Sequence, residues 1–219
     1  ILLPSAFKGK QIFLHVGNAK SCLFVWVNGK KVGYSEDSKL AAEFDITNFV
    51  KEGENLIAFQ VYRWSDASYL ECQDMFRFSG IERDVFLYCT NKLNIRDANI
   101  EATLDNSYTN GFLSVNTEID NYKLEKGYLS KMDSFTLELQ FLDPAGKIVY
   151  QDKTHDFKTV LGNYKTQVQF STVITNVMSW NAEIPNLYTL FIILKDKDGN
   201  MLEVVPQRIG FKKVEIKGT

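Results

Sequence analysis

The sequence predicts an all-β chain built as two consecutive β domains with a boundary near residue 90, and three observations carry that prediction. Apolar residues alternate or run with a period near two in "KQIFLHV", "LFVWVNGKKVGYS", "ENLIAFQVYRW" and "RDVFLYC", the pattern of strands with one buried face. The same runs are rich in β-branched and aromatic side chains, which fit a pleated, half-buried surface. Turn signals separate them, at Asn28-Gly29, Gly53 and Gly80.

Each element follows in order. "WVNGKKVGY" reads as a hairpin, because a type I′ turn needs positive φ at both central residues and Asn28-Gly29 supplies it. In "FDITNFVKEGEN", Asp45 reads as an N-cap and Gly53 as a stop for one short helical turn. The run from Tyr62 to Tyr88, "YRWSDASYLECQDMFRFSGIERDVFLY", breaks the pattern with its acidic residues, arginines and dense aromatics. It reads as an irregular segment. Past Asn91, "LNIRDANIEATL", "GFLSVNTEIDNY", "SFTLELQFLDPAGKIVYQ", "NYKTQVQFSTVI", "LYTLFIILKDKDGNMLEVVPQRIGF" and "KKVEIKG" make about seven strands, with hairpin turns at Asp143-Pro144-Ala145-Gly146 and Asp198-Gly199-Asn200. That number of short strands over 91–219 predicts an immunoglobulin-like sandwich, here without the cysteine pair of antibody domains.

Composition narrows the partners. A net charge of −2, with acidic and basic residues mixed along the chain, leaves no basic stripe for a phosphate backbone and no polybasic run for an anionic membrane, so neither nucleic acid nor membrane is an expected partner. No apolar stretch reaches the length of a membrane span. Cys22, Cys72 and Cys89 form no CxxC pair and read as free thiols, and with His15 and His155 they make no zinc set. His15 reads as a satisfied strand histidine, His155 as solvated, Trp180 as a packing residue, and "EDSK" and "KDKDGN" as charged surface. The opening "ILLPSAFKGKQIFLHV", without an initiator Met, reads as a processed chain or a piece of a longer one.

The string "VWVNGKKVGYSEDSKLAAEFDITNFVKEGENLIAFQVYRWSDASYLECQDMFRFSGIERDVFLY" closely resembles the N-terminal sugar-binding domain of glycoside hydrolase family 2, in particular the large β-galactosidases. "SWNAEIPNLYTL" and "GFKKVEI" resemble the immunoglobulin-like domain that follows it there, so the likeness covers nearly the whole chain. Ala67, Cys72, Phe76 and Glu82 depart from the family pattern, which commonly has Gly, Asp, Trp and Phe. The resemblance implies a partial jelly roll of the galactose-binding-domain type over 1–90, its opening strands missing and its sheet edges exposed, then the immunoglobulin-like sandwich over 91–219.

The resemblance also implies a role. The parent would be a retaining β-galactosidase of terminal β-D-galactosides whose two glutamates, about 5 Å apart, lie on a following (β/α)8 barrel, so no catalytic residue is expected here. Asp74 of "QDM" is the implied substrate-binding residue, touching the galactosyl 6-hydroxyl and a sodium ion. No cofactor is expected in this chain itself, whereas Na+ and Mg2+ are implied for the parent, as are a homo-oligomer and, for a bacterial parent, the cytoplasm or periplasm. Arg63, Asp66, Arg77, Arg83 and Asp84 read as ion pairs holding the Tyr62–Tyr88 segment. Trp64, Tyr69, Phe76 and Phe78 read either as sugar-stacking platforms or as packing between domains, making the segment a buried strut. A stand-alone carbohydrate-binding or adhesion module fits the same folds. A family 2 β-glucuronidase or β-mannosidase is the other alternative, and the "RWSDxSYLExQDM" string favours the galactoside.

Overall fold

The computed structural model describes residues 1–71, 74, 76, 78–122, 134–154, 157–158, 165–216 and 218. It divides into two compact units, Ile1–Asn91 and Lys92–Thr219.

In the first unit a short 3-10 turn, Ser5–Phe7, precedes β1 (Gln11–Val16), β2 (Cys22–Val27), β3 (Lys30–Ser35), β4 (Ala42–Asp45), β5 (Ile57–Tyr62), the single helical turn α1 (Ser68–Glu71) and β6 (Val85–Thr90). The strands form two antiparallel sheets, β4-β1-β6 and β3-β2-β5. Alternation decides which face is buried. Ile12, Leu14 and Val16 of β1 meet Leu23, Val25 and Val27 of β2 in one core with Phe44 and Ile46. Gly33 of β3 is required there, since a Cβ would stand 2.6 Å from the Phe44 ring. This six-stranded sandwich is a partial jelly roll. Its sheet ends at β5 and β6 carry no further strand among the described residues, and Phe59, Tyr62, Val85 and Phe86 are exposed along them.

The Asn28-Gly29 hairpin forms as the sequence predicts, with φ of 52° and 77°. The Asn28 side chain is fully used: its amide donates to Phe49 O (2.9 Å) and Asn55 Oδ1 (2.8 Å), and its Oδ1 accepts from Leu56 N (3.1 Å). The helical turn expected after Asp45 is smaller than read. Asp45 ends β4 and its Oδ1 accepts from Thr47 N at 3.0 Å, but only Phe49 and Val50 bond back to Ile46 O, so the chain makes one hydrogen-bonded turn and no helix.

The second unit holds β7 (Leu93–Leu104), β8 (Gly111–Asn121), β9 (Ser134–Leu142), β10 (Ile148–Lys153), β11 (Phe157–Lys158), β12 (Lys165–Ile174), β13 (Tyr188–Lys195) and β14 (Met201–Ile209). One sheet runs β12-β8-β7, the other β10-β9-β13-β14 with β11 also on β9. Leu113, Val115 and Ile119 of β8 face Leu137, Leu139 and Phe141 of β9 and Leu190, Ile192 and Leu194 of β13 across one core, an immunoglobulin-like sandwich. At one end Phe141 and Tyr188 stack at 5.1 Å, and Phe211 meets both edge-on at 5.9 and 5.3 Å. The segment "KKVEIKG", expected as a strand, forms no strand over 212–216 among the described residues. Its polar side is held instead: Lys213 Nζ donates to Asn106 Oδ1 (2.8 Å) and Tyr108 OH to Glu215 Oε1 (2.6 Å), leaving Val214 and Ile216 exposed.

Three hairpins of this unit share one device. Asp143 Oδ1 accepts from Ala145 N and Lys147 N, both at 2.9 Å, and Asp196 Oδ1 accepts from Asp198 N (2.9 Å) and Asn200 N (2.8 Å), with Gly146 and Gly199 at φ 86° and 81°. Asp105 binds Thr109 N, the Ser107 hydroxyl and the Asn110 amide. Those donors, the Thr109 N–H foremost, hold its carboxyl down at about 2. A depressed carboxyl stabilises the fold above its unfolded value, about 4, and loses that contribution as pH falls through about 2. Asp105→Ala is therefore expected to lower the melting temperature near neutral pH, with the gap to the parent chain closing below about pH 4. Calorimetry across that range checks it, and a gap independent of pH counts against the assignment.

Candidate functional site

The Tyr62–Tyr88 segment folds around the one helical turn, which the sequence did not announce. Ser68 N bonds back to Ser65 O, while Ser65 N donates to Ser68 Oγ at 3.0 Å, a reciprocal cap built of two serines. The same serines are tied to the β1–β2 loop: Ser21 Oγ donates to Ser65 Oγ (2.8 Å) and stands 3.2 Å from Ser68 Oγ. At the other end of α1, Glu71 accepts from both the backbone N–H (3.2 Å) and the hydroxyl of Ser38, which is 1% exposed. Ser38 Oγ in turn accepts from Ser21 N at 2.8 Å.

Asp74, the sugar-binding residue that the resemblance implies, lies three positions beyond Glu71. It is exposed, with φ of 53°, and among the described residues its side chain has no hydrogen-bond or ion-pair partner. Positive φ is uncommon outside glycine, and aspartate is among the side chains that tolerate it. Gln73 and Cys72 lie outside the described residues.

A second cluster stands beside α1. Glu36 Oε1 accepts from Ala67 N at 3.5 Å, and the Tyr34 phenol and the side chains of Asp66 and Ser65 stand around its carboxyl. These neighbours, Asp66 first and then Tyr34, hold the Glu36 carboxyl at about 2, and Glu36 in turn pushes the Tyr34 phenol well above its ordinary value. An open cleft of about 480 Å³ adjoins the cluster, lined by Phe24, Lys31, Tyr34, Trp64, Ser65 and Asp66. Aromatic faces and adjacent carboxyls suit a polyol or a hard cation better than an apolar ligand.

Several expectations change. Arg83 does not pair with a carboxylate: its guanidinium donates to the Lys39 carbonyl at 2.9 Å and the Gly17 carbonyl at 3.5 Å, and among the described residues no ion pair joins Arg63, Asp66, Arg83 or Asp84. Arg63 instead lies over the Trp64 ring at 5.5 Å. Arg77 lies outside the described residues. Within this chain Tyr69, Phe76 and Phe78 are 93%, 85% and 68% exposed, open to a sugar or to a further domain, and Phe76 stacks on Phe78 at 5.6 Å. "EDSK" is no bland surface, because Glu36 and Ser38 anchor the segment. Its contacts reach residues 65 to 71, a separation that a local reading of charge does not see.

The remaining assignments are quiet. His15 bonds Glu43 Oε1 at 3.3 Å and stacks on Phe86 at 4.5 Å. Trp180 packs on Gly210, with the Lys212 ammonium 5.3 Å from its ring. Cys22 and Cys89 are free thiols, while Cys72 and His155 lie outside the described residues.

Comparison with known proteins bears on what this site serves. The family model described as "Glycosyl hydrolases family 2, sugar binding domain" matches residues 2–91, and "Glycosyl hydrolases family 2" matches residues 93–212. The chain belongs to glycosyl hydrolases family 2. Relatives in this family include a β-galactosidase of Priestia megaterium, 41% identical over 97% of this chain and 20% of that protein. Another, from Clostridium acetobutylicum, is 38% identical over 96% of this chain and 22% of that protein. The chain thus spans about a fifth of the length of these two relatives. Among solved structures, a β-glucuronidase of Bacteroides uniformis superposes with a TM-score of 0.82 at 22% identity, over 96% of this chain and 25% of that one. A β-glycosidase of Bacteroides vulgatus does so at 0.71 and 23% identity, over 96% and 25%. At such identities the family 2 fold is what is shared.

Proposed function

We propose that this chain is a non-catalytic part of a family 2 β-galactosidase, supporting the enzyme's active site and lending it one carboxylate, Asp74. The observation that carries the reading is the presentation of Asp74: an exposed carboxylate at positive φ, without a side-chain partner among the described residues, inside a segment that reads "SYLECQDM". A backbone held in that region at a non-glycine residue is a feature of ligand-contacting turns. The galactoside is favoured because the curated relatives that are 34% to 41% identical to the chain are named β-galactosidases.

In the proposed mechanism the bond-breaking glutamates lie outside these residues. A retaining glycosidase uses two carboxyl groups about 5 Å apart, one as acid/base and one as nucleophile, and the resemblance puts both on the barrel. Asp74 would fix the terminal galactose by accepting a hydrogen bond from its 6-hydroxyl. An exposed carboxylate with free lone pairs also suits Na+, a hard cation that takes oxygen ligands and would supply positive charge beside the hydroxyl. For Mg2+, the adjacent Glu36 and Asp66 carboxyls would be a fitting donor pair, since this ion binds through one or two carboxylates and keeps several waters. No group of three or more His, Cys, Asp or Glu among the described residues could hold a metal ion, so water or other parts of a longer protein would complete the shell.

Purified alone, the chain is expected to leave a chromogenic β-galactoside unhydrolysed above background. Turnover that co-purifies with the chain through several separations would overturn the placement of the chemistry. Isothermal titration with galactose and lactose separates this reading from a stand-alone carbohydrate-binding module. The first expects no measurable heat of binding, and the second at least millimolar affinity.

A further inference from the structure

We propose that Glu71 is a positioning residue for Asp74: its carboxylate, bolted to Ser38, sets the direction in which the chain leaves α1 toward the Asp74 turn. The inference rests on the reading of Asp74 as the galactoside and Na+ ligand. α1 is four residues long, and a single helical turn does not sustain itself, because nucleation fixes several dihedral angles for one hydrogen bond. Packing does not hold it either, with Tyr69 and Leu70 at 93% and 87% exposure. Its order must come from polar anchors. Ser65 and Ser68 fasten its beginning to Ser21, and Glu71 fastens its end to Ser38 through two hydrogen bonds.

The anchors converge. Ser38 is itself held by Ser21 N, and the preceding residue of the same loop, Lys20, donates its N–H to Gly80 O at 2.9 Å. The stretch containing Asp74 is thus tied on its N-terminal side at Glu71 and on its C-terminal side at Gly80, both times to the Lys20–Ser21–Ser38 corner. A non-glycine residue at positive φ persists only where its surroundings impose it. Glu71 is the last described tie before it. A carboxylate is well suited to this task, since one oxygen can take the N–H of Ser38 and the other its hydroxyl.

The test uses the enzyme that contains this chain, in four forms: Glu71→Ala, Glu71→Gln, Asp74→Asn, and Glu71→Ala combined with Asp74→Asn. Glu71→Ala is expected to raise galactoside KM and the Na+ concentration for half-activation about five- to tenfold, with a smaller change in kcat. Glu71→Gln should restore both, because an amide can accept from the Ser38 N–H and donate to its Oγ. If Glu71 acts through Asp74, the double variant should be no worse than Asp74→Asn alone. A merely structural role would lower the melting temperature, leave the Na+ response in place and give additive losses. Should Glu71→Ala fail to fold, Ser38→Ala must show the same rise in KM, and a normal KM there overturns the proposal. Unchanged KM and Na+ response in Glu71→Ala beside an impaired Asp74→Asn overturns it too. An unimpaired Asp74→Asn overturns instead the reading it rests on.

Discussion

Asp74→Asn in the enzyme that contains this chain is expected to reduce galactoside kcat/KM by about ten- to a few hundredfold and to abolish most of its response to Na+. The magnitude follows from the bond at stake. A hydrogen bond to a charged group is worth about 1.5 to 3 kcal/mol, and roughly 1.4 kcal/mol is a factor of ten. The amide keeps the shape of the carboxylate and one acceptor, so the φ of 53° and the turn should survive, as Asn tolerates that region as well as Asp does. What it removes is charge, on which cation coordination depends. Substrate affinity and Na+ activation should therefore fall together. The competing view has Asp74 as an ion-pair partner of Arg77 or Arg83; the Arg83 guanidinium donates to the carbonyls of Gly17 and Lys39, and Arg77 lies outside the described residues. That view expects a lower melting temperature with Na+ response intact, so activity against Na+ concentration and thermal unfolding on one variant decide between them.

Phe211→Ala is expected to destabilise the second unit by about 3 to 5 kcal/mol, a fifth or more of the stability of an ordinary domain. Phe211 is wholly buried and closes the aromatic group with Phe141 and Tyr188. Truncation loses the transfer energy of the ring, two edge-to-face contacts and the filling of its volume. Relaxation is limited because the ring lies against the backbone of β8: a Cβ on Gly111 would come within 2.5 Å of it. Strand backbone in a ladder cannot collapse into the hole. Urea unfolding of the chain should show the later-strand unit melting at distinctly lower denaturant, with its slope unchanged. A loss below about 1 kcal/mol would mean that the site repacks, contrary to this account.

Much of the fold was legible because strand pairing here is set by local pattern. β7 runs from Leu93 to Leu104, the stretch that alternation marks, and Asn28-Gly29 turns the first hairpin as its chemistry demands. The failures share a cause. "KKVEIKG" alternates like a strand but forms none among the described residues, because Lys213 and Glu215 are taken by the side chains of the β7–β8 loop. Asp45 caps a turn that tertiary packing ends at once. In the site, the role of Asp74 is implied only by resemblance. Its scaffold was not legible, since the contacts of Ser21 with Ser65, Ser38 with Glu71 and Glu36 with Asp66 join distant positions whose hydroxyls and carboxyls look like ordinary surface in one dimension. The arginines misled for a related reason: abundance of nearby acids does not say which acceptor a guanidinium reaches first.

The occupied side chain of Asn28 bears on how this protein ages. In a flexible chain an Asn-Gly pair is the most ready of dipeptides to cyclise through the following nitrogen and lose ammonia, passing through a succinimide to aspartate and isoaspartate. Here the amide that must rotate into attack is committed on both of its atoms, to Phe49 O, Asn55 Oδ1 and Leu56 N. Deamidation should therefore proceed only through molecules in which the first hairpin has opened. Each event would put a carboxylate where two acceptors await a donor, so the damage would hold that hairpin open and mark the molecule for loss.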